Sequence, residues 1–340
     1  MTHELAVLRP VQLSDLDALH SLAQCALPGL TSLSKDRRTL THLIEDSLRS
    51  WEMHSDTPSN EFYLFVLEII SSKQIIGTSS IIARVGLKSP FYCYRLNRVE
   101  KHSKALDIQT VNPILELMET RHGPSEVGTL FLHPDFRGKG YGRLLSLGRF
   151  MFMACFPNRV DTTVIAEMRG ISDDEGISPF WESLGRHFFQ MSFPIADQLS
   201  SQDKQFIADL MPRYPIYAHL LSQEAQDVIG KPHPATIPAQ RLLESEGFRY
   251  SHQVDIFDAG PKLSVLRDSI RTISDCQTLP IQIQSESRGS QYLICNGNPN
   301  RFRVVSNQAS ILDNSLVTSN HALQPLYLDS KDTVWTSPIQ

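Results

Sequence analysis

The sequence predicts an α/β protein in which helices flank a mixed, mostly antiparallel sheet. Residues 61–70 and 74–85 are rich in aromatic and β-branched residues and are separated by a short polar turn, which is typical of an antiparallel hairpin. Residues 127–133 form another strand-like run, which leads through a glycine-rich turn into residues 143–156. This last segment is apolar on almost every face, so we predict a buried helix packed on the sheet.

The remaining elements follow from local patterns in chain order. Residues 5–9 predict a strand that Pro10 ends, Ser14 caps the helix that follows, and residues 35–53 form a second helical pattern. Beyond the buried helix we predict, in order, a strand at 162–168, a short helix at 178–184, a strand at 187–193, a proline-punctuated helical insertion at about 195–238, a helix at 239–246 stopped by Gly247, and a strand at 248–257.

We predict two domains, because 340 residues exceed the usual size of one. Residues 1–275 are predicted to form the α/β domain, helical insertion included, and residues 276–340 a small β-rich C-terminal module. Polar residues with Pro280 and with Gly289 close behind predict a linker at 273–287. After it, polar and apolar residues alternate with frequent Asn, Ser and Asp breaks, which favours short strands.

Composition and charge exclude several classes of partner. The 37 acidic and 32 basic residues are well mixed and give a net charge of −5, so no basic stripe is available to bind nucleic acid. No apolar run approaches the roughly 18 residues that a membrane span requires, and the N-terminus lacks the pattern of a signal peptide. The five cysteines have no CxxC or Cys/His metal spacing, so we predict buried thiols, no metal site and a cytoplasmic location.

The segment Arg137-Gly138-Lys139-Gly140-Tyr141-Gly142 joins the predicted strand to the buried helix. Such a turn lets several backbone N–H groups point into one concavity, and the N-terminus of the next helix adds its free donors and positive dipole. This arrangement suits a pyrophosphate group. The segment lacks the Lys-Ser/Thr pair of a P-loop, and its glycines do not fit GxGxxG. A plain glycine-rich turn without a ligand is the alternative.

The loop resembles the Arg/Gln-x-x-Gly-x-Gly/Ala motif of the GNAT acyltransferase superfamily, and the predicted order of strands and helices around it is similar to the GNAT order. The resemblance implies that Arg137, Gly138, Gly140 and Gly142 bind the pyrophosphate of an acyl-CoA. It also implies a GNAT-like sheet that splays between residues 127–132 and 162–168. The thioester would lie along the first of these strands, where backbone donors polarise its carbonyl.

GNAT enzymes often protonate the departing thiolate with a Tyr at a helix end that precedes Gly. Trp181 and Leu243 occupy the two positions of this kind, so another group or solvent must supply the proton. Among twelve histidines, His102 lies in a polar, loop-like stretch, and His233 lies between two prolines that fix the backbone. His233 is the stronger candidate, and an imidazole that merely packs between the prolines is the alternative.

Several segments, in the same order, resemble the arginine N-succinyltransferase family. The longest is Leu221-Ser-Gln-Glu-Ala-Gln-Asp-Val-Ile-Gly230, and the others lie at residues 28–33, 166–170, 178–181, 210–217, 246–250, 255–258 and 302–305. The resemblance implies transfer of succinyl from succinyl-CoA to the α-amine of L-arginine, with His233 as proton donor and Leu130 in contact with succinyl-CoA. It implies succinyl-CoA as co-substrate with no permanently bound cofactor, and either a homo-oligomer or paired α and β subunits.

Several roles stay open at this stage. The arginine side chain needs a carboxylate that can pair with its guanidinium through two hydrogen bonds, and Glu167, Asp173, Asp174 and Glu224 are candidates. Glu126, at the start of the thioester strand, is a candidate general base, with a solvated carboxylate at the strand end as the alternative. Two other functions remain: N-acylation of another amino acid such as ornithine, and a non-catalytic acyl-CoA-binding subunit.

Overall fold

The computed structural model describes residues 4–26, 32–53, 56–200, 204–284 and 289–339. The family-like segment at 28–33, the predicted insertion at 195–238 and the predicted linker at 273–287 lie partly outside these ranges. The described strands are, in chain order, β1 (Ala6–Pro10), β2 (Phe62–Ile69), β3 (Ile75–Ile82), β4 (Phe91–Ser103), β5 (Ile108–Thr120), β6 (Ser125–Leu132), β7 (Thr163–Glu167), β8 (Ile216–Tyr217), β9 (Arg249–Val254), β10 (Pro261–Leu266), β11 (Gln277–Gln284), β12 (Ser290–Cys295), β13 (Val304–Leu312), β14 (Ser315–Ser319) and β15 (Thr333–Pro338).

The described α-helices are α1 (Leu16–Gln24), α2 (Arg37–Glu52), α3 (Tyr141–Cys155), α4 (Arg186–Phe189), α5 (Phe193–Ser200), α6 (Gln205–Leu210), α7 (Gln223–Val228), α8 (Ile237–Ser245), α9 (Arg271–Ser274) and α10 (Asn320–Leu323). A π-helical turn at Trp181–Gly185 runs directly into α4. None of the described helices is long and apolar enough to cross a lipid bilayer.

The described strands form one sheet in the order β12-β15-β11-β14-β13-β1-β2-β3-β6-β7-β10-β9-β4-β5-β8. Strands β6 and β7 are parallel, as are β11 and β14, and the other paired strands of the described ranges are antiparallel. The central part, β1-β2-β3-β6-β7-β10-β9, has the GNAT order with a late strand inserted between two earlier ones. The predicted GNAT-like, mostly antiparallel sheet flanked by helices is therefore confirmed.

Helix α3 forms the centre of the largest apolar core, as its apolar sequence predicted. Phe150 and Phe152 are fully buried between the helix and the sheet. The ring of Phe152 lies 5.3 Å from that of Trp51 in α2 and 5.6 Å from that of Phe302 near the C-terminal strands. Burial of such large aromatic side chains supplies much of the stability of a core, so α3 holds the N-terminal helices, the sheet and the C-terminal strands together.

Strands β6 and β7 separate soon after they start. They pair only at Ser125 with Val164 and at Glu126 with Ile165. Beyond that point β6 bends: Thr129 has a φ of 50°, and the register against β3 shifts between Thr78 and Ser80, which marks a β-bulge. The predicted splay between these two strands is therefore present, and it opens towards their C-terminal ends.

A long hairpin was missed in the sequence. Strands β4 and β5 pair along their whole length, and only their bases are buried. Their outer parts are exposed on both faces, so the alternation of polar and apolar residues that identifies a half-buried strand is absent there. His102, predicted to lie in a loop, belongs to β4 and pairs with Gln109 in this exposed part of the hairpin.

Two other predictions were wrong. Residues 187–193, predicted as a strand, contain the end of α4 and the start of α5, because Phe189 stacks on Trp181 with ring centroids 5.3 Å apart and the chain follows that packing. Residues 273–287, predicted as a linker, contain the end of α9 and all of β11. Pro280 is tolerated in β11, where it lies opposite Thr333.

The two helix ends that looked alike in the sequence differ. Gly247 follows α8 with a φ of 104°, a conformation that glycine permits at a helix end. Gly185 instead lies inside a continuing helix, and a Cβ there would fall 2.3 Å from the Trp181 ring. Gly185 therefore allows close packing of Trp181 and does not end the helix.

The C-terminal strands form a small module that continues the main sheet. Within the described residues, strands β11 to β15 pair among themselves. They carry the short helix α10, which continues into a 3-10 turn at Gln324–Leu326. Strand β13 also pairs with β1 through Val305 opposite Val7 and Val304 opposite Leu8. The predicted β-rich module is thus joined to the first strand of the chain by backbone hydrogen bonds. The insertion before α8 is mainly helical, with α5, α6 and α7 and the short strand β8.

Candidate active site

The turn between β6 and α3 carries the glycines predicted to bind phosphate. Gly138 and Gly140 have φ of 75° and 80°, a region that residues with a Cβ disfavour, and Gly140 is the N-cap of α3. Apart from atoms of each glycine and its chain neighbours, no described heavy atom lies within 4 Å of the place where a Cβ of either residue would stand. The N-terminus of α3 is therefore open above this turn, as an anion site requires.

Arg137 and Gly142 flank the same turn. Arg137 is exposed, and its Nε donates to the carbonyl oxygen of Leu132 at 3.2 Å. Gly142 lies in the first turn of α3, where a Cβ would make only ordinary contact with Leu132 at 3.8 Å. Lys139 is also exposed, with Nζ 5.4 Å from the centre of the Phe136 ring. Two cationic side chains therefore border the open helix N-terminus.

Leu130, the predicted acyl-CoA contact, lies on β6 directly after the bulge residue Thr129. The Oγ of Ser80 donates to Oγ1 of Thr129 at 2.8 Å and holds the bulge against β3. Because β7 pairs only with Ser125 and Glu126, the edge of β6 at Leu130 faces the opening between the strands. The structure thus brings Leu130 and the glycine turn onto one continuous strand and loop.

Arg149 lies beneath this part of β6 and was not predicted from the sequence. It is fully buried in α3 and donates to the carbonyl oxygen of Ser146 at 3.1 Å, to its Oγ at 2.9 Å, and to the carbonyl oxygen of Gly128 at 3.5 Å. Burial lowers its pKa to about 9. An arginine amid the apolar run Leu144–Met153 was the available signal, and its bond to Gly128 ties α3 to the strand beside the bulge.

His233 lies where the insertion returns to the sheet, just before α8. Its N–H donates to the carbonyl oxygen of Arg169 at 2.8 Å, so the chain that leaves β7 fixes its backbone. Its Nδ1 accepts the N–H of Ala235 at 3.1 Å, so the neutral ring carries its proton on Nε2. The side chain is half-buried. Burial and the Arg169 charge lower its pKa, while Asp174 and the Ser172 backbone act in the opposite direction.

The helix-end positions that often carry a GNAT Tyr hold no acid here. Helix α8, which precedes β9, is the counterpart of that GNAT helix, and its Leu243 is only 3% exposed in the core. Trp181 is fully buried, and its Nε1 donates to the carbonyl oxygen of Met191 at 3.0 Å. His233 precedes α8 by a short turn, so an imidazole stands near the helix whose usual acid is missing.

Two carboxylates and a lysine share the face of the sheet opposite α3. Val127 and Ala166 pack on the α3 side, so Glu126 and Glu167 point to the other side, and Lys262 lies opposite Glu167 on β10. Burial raises the pKa of Glu126. Burial and the Glu126 charge raise the pKa of Glu167 well above its usual range.

The lysine of this group does not form a close ion pair with either acid. Nζ of Lys262 lies 4.5 Å from the centre of the Phe91 ring and 3.9 Å from Sγ of Cys93, and no carboxylate of the described residues is within 4.0 Å of it. Oε1 of Glu167 is also buried, and it has no hydrogen-bond partner among the described residues. The carboxyl group of Glu167 can therefore form a further hydrogen bond with a ligand.

Arg169, which follows β7, is a second candidate functional residue that was not predicted individually from the sequence. Its Nη2 donates to Oγ of Ser172 at 2.7 Å, while Nε is buried and has no partner among the described residues. Burial lowers its pKa, against the influence of Asp258, Asp197 and Asp174. The segment at 166–170 that carries the family resemblance contained this arginine, and that was the signal.

An open groove of about 840 Å³ has Ser172 in its wall, and the backbone of Ser172 also lies close to His233. The wall also contains the acidic residues Asp173, Glu182 and Glu224. Asp173 accepts the N–H groups of Glu175 and Ile177 through Oδ1, and Glu182 pairs with Arg186. Of the four carboxylates predicted as guanidinium partners, the structure brings Asp173 and Glu224 to this groove, Asp174 to the surroundings of His233, and Glu167 to the Lys262 cluster.

The fold and the glycine turn define an acyltransferase of the GNAT type. A family model for the arginine N-succinyltransferase beta subunit matches residues 6–272, and a model for the C-terminal domain of that subunit matches residues 277–338. The arginine N-succinyltransferases of Escherichia coli (strain 55989 / EAEC) and Shigella flexneri are each 43% identical to the chain over 332 residues, 96% of both sequences. The chain therefore belongs to the arginine N-succinyltransferase family.

A solved structure supports the same assignment. The arginine/ornithine succinyltransferase subunit AI from Pseudomonas aeruginosa superposes with a TM-score of 0.91 and 32% identity. The match covers 99% of this chain and 100% of that one. The similarity therefore includes the insertion before α8 and the C-terminal strands as well as the GNAT-like core.

Proposed function

We propose that this protein transfers the succinyl group of succinyl-CoA to the α-amine of L-arginine. The observation that carries the proposal is the position of His233 beside the chain leaving β7, at the end of a splay whose other strand leads to an open glycine turn. Family membership supplies the substrates. The splay and the open glycine turn support the proposed place of the thioester, and His233 is the titratable group that we propose lies near it.

The acyl-CoA would lie between β6 and β7, with its pyrophosphate on Gly138, Gly140 and Gly142 and its thioester near Leu130. Backbone N–H groups on the free edge of β6 would stabilise the negative charge that develops on the carbonyl oxygen during attack. The α-amine forms a bond to the carbonyl carbon, and the bond between carbon and sulfur then breaks.

Proton transfer follows from the charges of the reactants. The α-ammonium must lose one proton before it attacks, and the pKa of Glu126, raised by burial, suits a general base. The second amine proton leaves as the amide forms. We propose that neutral His233 accepts it and then donates it to the departing thiolate, so no net proton stays on the imidazole.

The acidic groove is the proposed site of the arginine guanidinium. Glu224 is exposed on its wall and belongs to no ion pair among the described residues, whereas Asp173 and Glu182 already have partners. Glu224→Gln should raise KM for arginine about tenfold and leave kcat nearly unchanged, because it removes a charge-assisted bond remote from the reacting atoms. Asp227→Asn, which changes another exposed acid of α7, is the matched control. An unchanged KM in Glu224→Gln would place the guanidinium elsewhere.

Thiol release measured with succinyl-CoA and acetyl-CoA over a panel of amino acids tests the proposed activity. We expect the highest kcat/KM for succinyl-CoA with arginine. Faster release with acetyl-CoA or with another amine would make this member an N-acyltransferase of different specificity. Binding of acyl-CoA without release of thiol would support a non-catalytic subunit.

Ornithine is the second candidate acceptor, because the Pseudomonas aeruginosa protein named above is an arginine/ornithine succinyltransferase subunit. The same assay with both amino acids separates the two. That name also supports a paired-subunit assembly, which we propose together with a homo-oligomer as the states to distinguish by mass measurement. The five cysteines are free thiols, which agrees with the proposed cytoplasmic location.

A further inference from the structure

We infer that Arg169 binds the terminal carboxylate of the succinyl group and thereby selects a dicarboxylic acyl-CoA over a neutral one. This inference rests on the proposed transfer of an acyl group in the splay between β6 and β7. It assigns the acyl specificity to one side chain, whereas the glycine turn and Leu130 contact parts that all acyl-CoA molecules share.

The guanidinium of Arg169 has hydrogen-bonding capacity that the protein does not use. Only its Nη2 has a partner, the hydroxyl of Ser172 at 2.7 Å, and its buried Nε has none within the described residues. No carboxylate of the described ranges lies within 4.0 Å of it. A half-buried guanidinium without a counter-ion is costly, so a bound carboxylate would both neutralise it and complete its hydrogen bonds.

Asp258, the acid with the largest influence on Arg169, already accepts two backbone hydrogen bonds. Oδ2 of Asp258 accepts the N–H of Gly170 at 2.7 Å, and its Oδ1 accepts the N–H of Gly260 at 2.8 Å. These two bonds hold the loop that follows β7 against the loop that precedes β10. Asp258 therefore fixes the backbone next to Arg169, and the guanidinium of Arg169 stays available to bind a ligand.

The position of Arg169 favours the acyl group as that ligand. Its carbonyl oxygen accepts the N–H of His233, so the guanidinium and the imidazole belong to one locally rigid unit at the end of β7. If His233 protonates the sulfur, the acyl chain extends from the adjacent carbonyl by only two methylene groups to its carboxylate. The acidic groove, in contrast, lies beyond Ser172 and suits the cationic end of the amino acid.

The test compares kcat/KM for succinyl-CoA and for butyryl-CoA, which has four acyl carbons and no carboxylate, with arginine as acceptor. The wild-type protein should prefer succinyl-CoA by about 10² or more, as a site with a committed polar partner does. Arg169→Met should reduce this preference to within about threefold, mainly by loss of the succinyl-CoA rate. Arg169→Lys should keep part of it, because a lysine retains the charge without the planar fork. Arg121→Met, at an exposed arginine paired with Glu119, is the matched control.

The outcomes separate this inference from the proposed function. If the wild-type protein transfers succinyl and a folded Arg169→Met or Arg169→Lys variant keeps the full preference, the inference is wrong and the function stands. If the wild-type protein does not transfer succinyl, both are wrong. A second assay uses agmatine, which is arginine without its carboxylate. If Arg169→Met removes the discrimination between arginine and agmatine while the acyl preference persists, Arg169 binds the amino-acid carboxylate and the inference is overturned.

Discussion

Two His-Pro turns of this molecule have nearly the same local structure. His133 follows β6 with φ and ψ of −52° and 135°, and His233 precedes α8 with −58° and 139°. In each, Nδ1 accepts the N–H two residues further on, at 3.3 Å for His133 and 3.1 Å for His233, and a short 3-10 helix begins at the proline. The histidine is thus an N-cap in both turns.

Their surroundings differ, and that difference is what separates a capping histidine from a candidate acid. The His133 ring lies beside Phe136 and has the Asp135 carboxylate 3.8 Å from Nδ1, next to the glycine turn. His233 lies against Arg169 at the end of β7, where burial and that guanidinium lower its pKa. The backbone turn favours the same tautomer in both cases, and burial together with the Arg169 charge also lowers the pKa of His233.

The largest expected effect is a loss of kcat when His233, but not His133, is replaced. His233→Ala should lower kcat by about 10²–10⁴, the usual contribution of a positioned acid or base, with acyl-CoA affinity nearly unchanged. His133→Ala removes the same kind of cap and should keep kcat within about threefold. The measurement is steady-state thiol release per folded molecule. Equal kcat values for both variants would mean that His233, like His133, only caps a turn.

A smaller effect is expected at the glycine turn on the His133 side. Gly140→Val should weaken coenzyme A binding by about tenfold or more, because a β-branched residue at a φ of 80° is strained and the N-cap of α3 must move. Calorimetric titration of coenzyme A measures this loss. Gly176→Val, at a glycine with the same φ of 80° outside the glycine turn, is the control. Unchanged affinity in folded Gly140→Val would refute the phosphate assignment.

The pH dependence of kcat/KM is a further test of the difference between His233 and His133. Because the pKa of His233 is lowered from its ordinary value of about 6.5, the imidazole is neutral above that pH and loses its ability to accept a proton only as the pH falls below it. We therefore expect kcat/KM to rise with pH through a step below about 6.5. The step should be absent in His233→Asn and present in His133→Asn. A step that survives in His233→Asn belongs to another group, such as Glu126.

The smallest expected effect is on stability, where the two turns should behave alike. Loss of an N-cap hydrogen bond costs about 1 kcal/mol, so His133→Ala and His233→Ala should each lower the free energy of unfolding by a similar amount. Urea denaturation followed by circular dichroism measures both. A loss several times larger for His233→Ala would show that its packing against Arg169 is structural, and the kcat comparison would then need the folded fraction.

The sequence predicted the elements whose signals are local. The hairpin β2–β3, the buried helix α3 and its glycine turn were correct because periodicity and glycine content reveal them directly. The hairpin β4–β5 was missed because most of it is exposed on both faces. The strand predicted at 187–193 failed because packing around Trp181 overrides the propensity of its phenylalanines.

The residues of the candidate site also divide into those that local sequence signals reveal and those that only the folded structure reveals. The glycine turn and His233 were found from spacing, proline context and family resemblance. Arg169 and Lys262 were not, because their significance depends on which strands are neighbours and on which hydrogen bonds stay unmade. Pro232 precedes His233 and Leu132 precedes His133, yet both turns make the same cap. Only the folded arrangement places one of them beside a guanidinium.

The pairing of β1 with β13 has a consequence for synthesis of the chain. Strand β1 leaves the ribosome early, but Val304 and Val305, which bond to one of its edges, come about 300 residues later. Until then that edge carries unpaired N–H and C=O groups, which can template pairing with another chain. The nascent protein is therefore open to aggregation through β1 until β13 is made, and a chain truncated before β11 would keep this edge unpaired.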